Sequence, residues 1–163
     1  MPLRIELPRN WQAVGIEHDD GTDLAAFRQP ESDEPFTPNL TLLTRTVPVD
    51  VAVRTLADRA LGRAARESAS IVVFTEQDWG SGAETVILRG FQLTNRSSSA
   101  DRPMRLTRFQ VHAGLPSSDG ERHDVATLVL SCLPEQRPLV EQEFTHIVRS
   151  IALERAMVEG DHR

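Results

Sequence analysis

The alternation of hydrophobic and polar residues predicts a sheet-forming chain with two helices. Strand side chains alternate between two faces, whereas one face of a helix recurs every three to four residues. Runs of the first kind, bounded by turn-forming residues, predict an antiparallel sheet of six to seven strands. The candidate strands are Ile5–Leu7, Leu24–Arg28, Asn39–Val47, Ser70–Trp79, Ala83–Thr94, Met104–Ala113 and His123–Leu133, with Ala13–Glu17 as a hairpin partner of the second.

Two segments have the helical period instead. Over Val51–Glu67, apolar residues recur at helical spacing with arginines on the other face, and Asp50 stands where an N-cap is expected. A second helix begins at Pro138, which suits a first helical turn, and carries an apolar stripe over Val140–Ile151. The charged residues 154–163 are expected to fray. The pattern is that of an α+β protein.

Composition fits one soluble domain, which we place at residues 1–153. The chain has 163 residues and a net charge of −6, and its 18 basic residues are all arginines without a dense basic run. This distribution disfavours nucleic acid as a partner. The N-terminus lacks the apolar core of a signal peptide, and no long apolar run occurs. We therefore expect a cytoplasmic protein with no membrane partner.

Motifs of known catalytic chemistry are missing from the sequence. It has no nucleophile elbow, no phosphate-binding Gly-rich loop and no His-Glu-x-x-His pair. The lone Cys132 lies in an apolar run, where it is expected to act as a buried small hydrophobe. The segment His18-Asp19-Asp20 has the composition of a turn rather than of a metal site. We expect no enzyme activity, no cofactor and no metal.

The last predicted hairpin contains the strongest candidate chemistry. Pairing its strands symmetrically about Ser118 places His112 opposite Asp124, and sends His112 and His123 to opposite faces of the sheet. A metal shared by the two histidines is then disfavoured. An imidazole beside a carboxylate is half of a general-base arrangement, although a hydrogen-bonded surface pair is the commoner outcome. Arg108 shares the face of His112 by its even spacing.

The stretch Phe36-Thr37-Pro38-Asn39-Leu40, followed by the helix that starts near Asp50, resembles a motif of the Mog1/PsbP-like superfamily, in particular of its bacterial LpqN and DcrB-like branches. The order of the remaining elements agrees over about Leu3–Leu153. This resemblance implies an α/β/α sandwich around an antiparallel sheet and a superfamily whose members mostly bind proteins. It implies no catalytic residues.

Three functional hypotheses follow. The first is a non-catalytic accessory protein or chaperone-like adaptor that holds a protein partner by a sheet face or by the loop 29–38. The second is a small-molecule-binding protein or minor enzyme, which requires a concave, partly apolar pocket between sheet and helix. The third is a homodimer built on the strand Met104–Ala113 or on the second helix. The candidate binding residues are Phe36, Pro38, Asn39, Arg108, His112 and Asp124.

Overall fold

The structure is a computed structural model that describes residues 5–14, 23–30, 35–96, 103–116 and 120–160. In chain order its elements are β1 (Trp11–Val14), β2 (Leu24–Arg28), β3 (Asn39–Pro48), α1 (Val53–Glu67), β4 (Ser68–Trp79), β5 (Val86–Asn95), β6 (Arg105–Pro116), β7 (Arg122–Cys132) and α2 (Arg137–Gly160). The seven strands form one antiparallel sheet in the order β1-β2-β3-β7-β6-β5-β4. The predicted α+β architecture is confirmed.

One face of the sheet is apolar and is covered by α2. Leu128 and Leu130 of β7 are fully buried on this face, and Leu130 lies opposite Phe109 of β6. The predicted apolar stripe of α2 packs on them, and the rings of Phe109 and Phe144 lie 5.7 Å apart. Burial of these large side chains supplies most of the driving force for docking α2.

A buried carboxylate fixes the same helix to the edge of the sheet. Glu143 of α2 accepts hydrogen bonds from Trp11 Nε1 at 2.8 Å and from Arg28 Nε at 3.0 Å. Trp11 and Arg28 lie opposite each other on β1 and β2. Because both donors and the acceptor are largely shielded from water, this charged contact specifies how α2 is oriented over the short edge strands.

The other face of the sheet carries α1, which packs against β4, β5 and β6. Val53 and Ala57 of α1 contact Ile87 of β5 and Val125 of β7. Near the end of the helix, Ala64 belongs to a second apolar cluster. Thus α1 covers one part of its sheet face and leaves the part over β3 and β7 more open.

A charged network also holds α1 to the sheet. The buried Arg89 of β5 donates to Asp58 of α1 and to Glu76 of β4, and Arg54 of α1 donates to Glu76 and Asp78. Hydrogen bonds from Arg89 and Arg54 hold the pKa of Glu76 below its usual value. The network joins the helix to β4, the long edge strand.

The predicted first strand is wrong. Ile5 and Leu7 pack on the main core but stay outside the sheet, since the backbone N–H of Glu6 donates to Ser150 Oγ of α2 instead of to a strand. The first strand is the hairpin partner of β2, as shown by the pairing of Ala13 with Ala26. Residues 15–17 of the predicted hairpin and 31–34 of the loop 29–38 lie outside the described residues.

Several element ends also differ from prediction. Asp50 does not cap α1, because residues 48–51 form a turn closed by a hydrogen bond from Val51 N to Pro48 O, and the helix starts at Val53. Strand β5 starts at Val86 because Gly82–Glu84 forms a short 3-10 turn. Helix α2 continues to Gly160, past the predicted end of regular structure. None of the helices in the described ranges has the length and apolarity needed to span a bilayer.

Candidate functional site

A cleft of about 340 Å³ opens between α1 and the sheet. This volume lies in the range of small-molecule pockets, which is roughly 300–1,000 Å³. Strands β3, β6 and β7 form the floor, and one side of α1 forms the wall. The apolar lining residues are Leu43, Leu56, Ala60, Ala64, Val125 and Val129. The polar ones are Arg45, Arg59, Arg63, Glu67, Arg108, Gln110, His112 and Thr127.

The floor arises from alternate residues of two neighbouring strands. Arg108, Gln110 and His112 follow one another on a single face of β6, two residues apart. Their partners on β7 are Ser131, Val129 and Thr127, respectively. A row of three polar side chains therefore crosses the middle of the sheet beneath the opening beside α1.

The predicted register of this hairpin is wrong. His123 pairs with Pro116 instead of Ala113, and His112 pairs with Thr127 instead of Asp124. A shift by an odd number of residues moves side chains to the other face of the sheet. The observed register places Leu128 and Leu130 together beneath α2, which buries them. Both faces of β7 carry apolar residues, so the strand pattern alone did not reveal the shift.

Asp124 consequently lies outside the cleft. It lies opposite Leu115 on the face that α2 covers, and its Oδ1 accepts a hydrogen bond from Thr46 Oγ1 at 2.5 Å. The predicted pair of His112 and Asp124 is therefore not formed. In place of a carboxylate, Thr127 is the hydrogen-bond neighbour of the imidazole.

The corrected register puts both histidines of the hairpin on the α1 face. His123 is level with Pro116, four residues from His112 along β6, which corresponds to about 13 Å. That separation is too large for one metal ion to bind both. Across the described ranges, no group of three or more His, Cys, Asp or Glu side chains could hold a metal.

His112 is a neutral hydrogen-bonding group on the floor. It is 2% exposed, its Nδ1 lies 3.1 Å from Thr127 Oγ1, and its Nε2 has no partner among the described residues. Burial, with a smaller contribution from the positive charge of Arg89, lowers the pKa of His112 to about 4. At neutral pH the imidazole is therefore uncharged, and Nε2 can donate or accept a hydrogen bond according to the tautomer.

Arg108 is the most buried charged residue in the described lining of the cleft. It is partly buried, and its Nε donates to Ser131 Oγ at 3.2 Å. Burial lowers the pKa of Arg108, while the charge of Glu67 partly opposes that change. An arginine stays protonated in proteins even so. Arg108 forms no ion pair in direct contact with a described residue, and Glu67 acts on it only through space.

Three further arginines, called the rim arginines below, surround the opening. Arg45, Arg59 and Arg63 are exposed, and none forms an ion pair with a described residue. Glu67 is the single acid among the described lining residues. Although the whole chain carries a net charge of −6, the cleft is therefore locally positive.

No protein-family model and no curated protein matches the sequence, but solved structures match the fold. LpqN of Mycobacterium tuberculosis, involved in cell envelope biogenesis, has a TM-score of 0.66 and 12% identity, over 88% of this chain and 78% of LpqN. Cyanobacterial PsbP from Synechocystis has a TM-score of 0.59 and 13% identity, over 90% and 83%. The chain has a Mog1/PsbP-like fold. The resemblance predicted from the sequence is thus confirmed at the level of fold.

A third structure has the same arrangement. The protein of unknown function PA94 from Pseudomonas aeruginosa has a TM-score of 0.52 and 13% identity, over 91% of this chain and 94% of PA94. At such identities the likeness establishes the Mog1/PsbP-like fold alone.

The Phe-x-Pro-Asn stretch that suggested this Mog1/PsbP-like fold is part of its framework. Phe36 packs on the second apolar cluster, and its carbonyl oxygen accepts a hydrogen bond from Gln136 Nε2 at 3.0 Å. Pro38 is buried, and its carbonyl oxygen accepts from Arg28 N at 2.9 Å. Asn39 starts β3, and its Nδ2 donates to Thr37 O. These three residues do not line the cleft.

Of the candidate binding residues, Arg108 and His112 meet in the cleft of the Mog1/PsbP-like fold, and the shared face predicted for them is confirmed. The sequence analysis did not identify the rim arginines or Gln110 as candidate binding residues. Arg59 and Arg63 are four residues apart on α1, and they were therefore predicted to lie on its solvent-exposed face. The sequence did contain one indication of the cleft, namely polar residues at alternate positions of β6. A central strand that is covered on both faces is expected to be apolar at all of its positions.

Proposed function

We propose that the protein is a non-catalytic binding protein whose small, negatively charged ligand occupies the cleft between α1 and the sheet. The observation that supports this proposal most directly is Arg108, a partly buried guanidinium that forms no ion pair with a described residue, although the charge of Glu67 acts on it through space. Removing a cation from water is unfavourable unless an opposite charge compensates it. A bound anion would provide that compensation.

The surrounding groups suit binding better than catalysis. The described lining contains no cysteine or serine, and its one histidine contacts a threonine hydroxyl rather than a carboxylate. Cys132 is buried beneath α2, and burial raises the pKa of its thiol to about 12. A thiol in that state is a poor nucleophile. The involvement of LpqN, which has the same fold, in cell envelope biogenesis is compatible with an accessory role.

Titration calorimetry with 1-naphthalenesulfonate tests the proposal. This probe joins an apolar double ring to one negative charge. Loss of a charge-assisted hydrogen bond, on the order of 1.5–3 kcal/mol, should weaken its binding about 10- to 100-fold in Arg108→Gln. The matched control is Arg149→Gln, which removes an exposed arginine of α2 on the other side of the sheet. Equal affinities of wild type and Arg108→Gln, or no saturable binding to wild type, would refute the proposal.

A protein adaptor is the second candidate, and strand β4 favours it. This edge strand has 12 residues, and Val72 is 65% exposed beside the exposed Val73. An extended segment of a partner could add to such an edge by backbone hydrogen bonds. A native extract should then yield a protein retained by wild type and by Gln12→Lys but lost with Val72→Lys. Retention that is unchanged by Val72→Lys, or no retained protein, would exclude this use of β4.

A further inference from the structure

We infer that the cleft binds a medium-chain monocarboxylate with its carboxylate against the floor and its alkyl chain along the apolar lining. This inference rests on the proposed function and specifies the class of ligand. Three properties of the cleft support it: the burial of Arg108, the balance of charges around this residue, and the volume available to an apolar body.

The best-shielded charge among the described residues of the cleft is that of Arg108, which lies on the floor. His112 Nε2 and Gln110 Oε1 are buried and unpartnered among the described residues, and both side chains stand on the strand face that carries Arg108. The rim arginines, in contrast, are exposed and already hydrated. Since a charge or polar group gains most from a partner where water is excluded, the polar end of a ligand is favoured at the floor.

The geometry of Arg108 suits a carboxylate. Its Nε is used by Ser131 Oγ, which leaves the two terminal nitrogens of the guanidinium to face a ligand. Two parallel N–H groups match the two oxygens of a carboxylate. His112 lies on the same strand face, and its Nε2 can donate to the carboxylate in the tautomer that carries the proton there, whereas Gln110 Oε1 accepts hydrogen bonds and cannot bind a carboxylate.

The charge balance favours one negative charge over two. Glu67 lines the cleft and acts electrostatically on Arg108, as the rise that it causes in the pKa of the guanidinium indicates. This carboxylate would repel a second negative charge on the ligand head. A phosphate monoester, which is largely dianionic at neutral pH, is therefore expected to bind less well than a carboxylate of equal chain length.

The volume limits the length of the alkyl chain. A cleft of about 340 Å³ lies at the lower end of the volumes of small-molecule pockets, which are roughly 300–1,000 Å³. Leu43, Leu56 and Val125 are among the side chains that would contact the chain. The inference therefore centres on medium-chain carboxylates rather than on long-chain fatty acids.

Calorimetric titration of wild type with straight-chain carboxylates of four to fourteen carbons, each below its micellar concentration, tests this ligand class. A buried methylene contributes up to about fourfold in affinity, so binding should strengthen by two- to fourfold per methylene and level off once the alkyl chain extends beyond the apolar lining, before the longest carboxylates of the series. Octanoate should bind at least tenfold more tightly than octyl phosphate or 1-octanol. Affinity that does not depend on chain length, or tighter binding of octyl phosphate, would overturn the inference.

The orientation is tested with variants of the two kinds of arginine. Arg108→Gln should lose octanoate binding by at least tenfold, whereas Arg59→Gln should change mainly the dependence on salt, as expected for an exposed rim charge. The opposite ranking would place the head at the rim and refute the proposed orientation. If 1-naphthalenesulfonate binds through Arg108 and octanoate does not, this inference fails while the proposed function stands. If neither binds, both fail.

Discussion

Acid should destabilise the protein through His112. The imidazole is buried in its neutral form, and its pKa is about 4 in the folded protein against an ordinary value of 6.5. Below pH 6.5 the unfolded chain binds a proton at this position, but the folded chain does so only near pH 4. The stability contributed by neutral His112 is therefore complete above pH 6.5 and is lost as the pH falls towards 4.

The size of the pKa shift of His112 determines how much stability is lost in acid. Each pKa unit corresponds to about 1.36 kcal/mol, so the change from 6.5 to about 4 amounts to about 3 kcal/mol of unfolding free energy between pH 7 and pH 4. Between pH 7 and pH 4.5 the expected loss is about 2–3 kcal/mol. This is a large part of the total stability of an ordinary domain, which is about 5–15 kcal/mol.

Urea unfolding of wild type and His112→Gln between pH 7 and pH 4.5 measures the effect. Glutamine keeps a hydrogen-bonding group near Thr127 but does not titrate. Acidic residues and the other histidines titrate in both proteins, so the difference between the two pH profiles isolates His112. Wild type should lose about 2–3 kcal/mol more than the variant over this range. Parallel profiles would show that burial does not hold His112 neutral.

Two further substitutions test the framework around the cleft. Glu143→Gln should lower the unfolding free energy by about 3 kcal/mol in urea, since it removes the carboxylate that pairs with the buried Arg28. Glu141→Gln removes the carboxylate of a half-exposed pair and should cost less than about 1 kcal/mol. Similar losses would contradict this assignment. Gly114→Ala should lower the melting temperature through a loss of about 3 kcal/mol, because the added methyl would overlap the carbonyl oxygen of Ala83, and an unchanged transition would refute that crowding.

Element types were largely predictable because their signals are local. The apolar stripe of α2 and the β-branched run of β3 have periods that only one kind of structure satisfies. Element ends were less predictable where a turn competes with the periodic element. At Asp50, the hydrogen bond from Val51 N to Pro48 O forms a turn at the expected capping position.

The register of β6 and β7 could not be obtained in the same way. In β7, Val125 and Val129 face one side while Leu128 and Leu130 face the other, so either register would bury apolar residues. A hairpin symmetric about Ser118 was the simplest choice. The observed register depends on tertiary packing, namely on placing Leu128 and Leu130 beneath α2.

The cleft depends on a further tertiary property, which is how far α1 extends across the sheet. Arg59 and Arg63 have the spacing of a solvent-facing row, and nothing in that spacing indicates a cavity beside it. Arg108 and His112 were recognised because their common face follows from strand geometry alone. That Asp124 lies on the opposite face from Arg108 and His112 could be recognised only from the observed register of β6 and β7.

The polar row on β6 is difficult to explain by stability. On the covered face of the same strand, Phe109 and Val111 pack into the main core. On the cleft face, Gln110 and His112 each bury an atom without a partner among the described residues, at a cost of roughly 1–3 kcal/mol per group. Apolar residues at these positions would avoid that cost. A ligand that supplies an acceptor to His112 would recover part of this free energy and raise the stability of the folded state by mass action. The polar groups that lower the stability of the folded state are therefore those that would make the cleft selective for a polar head group.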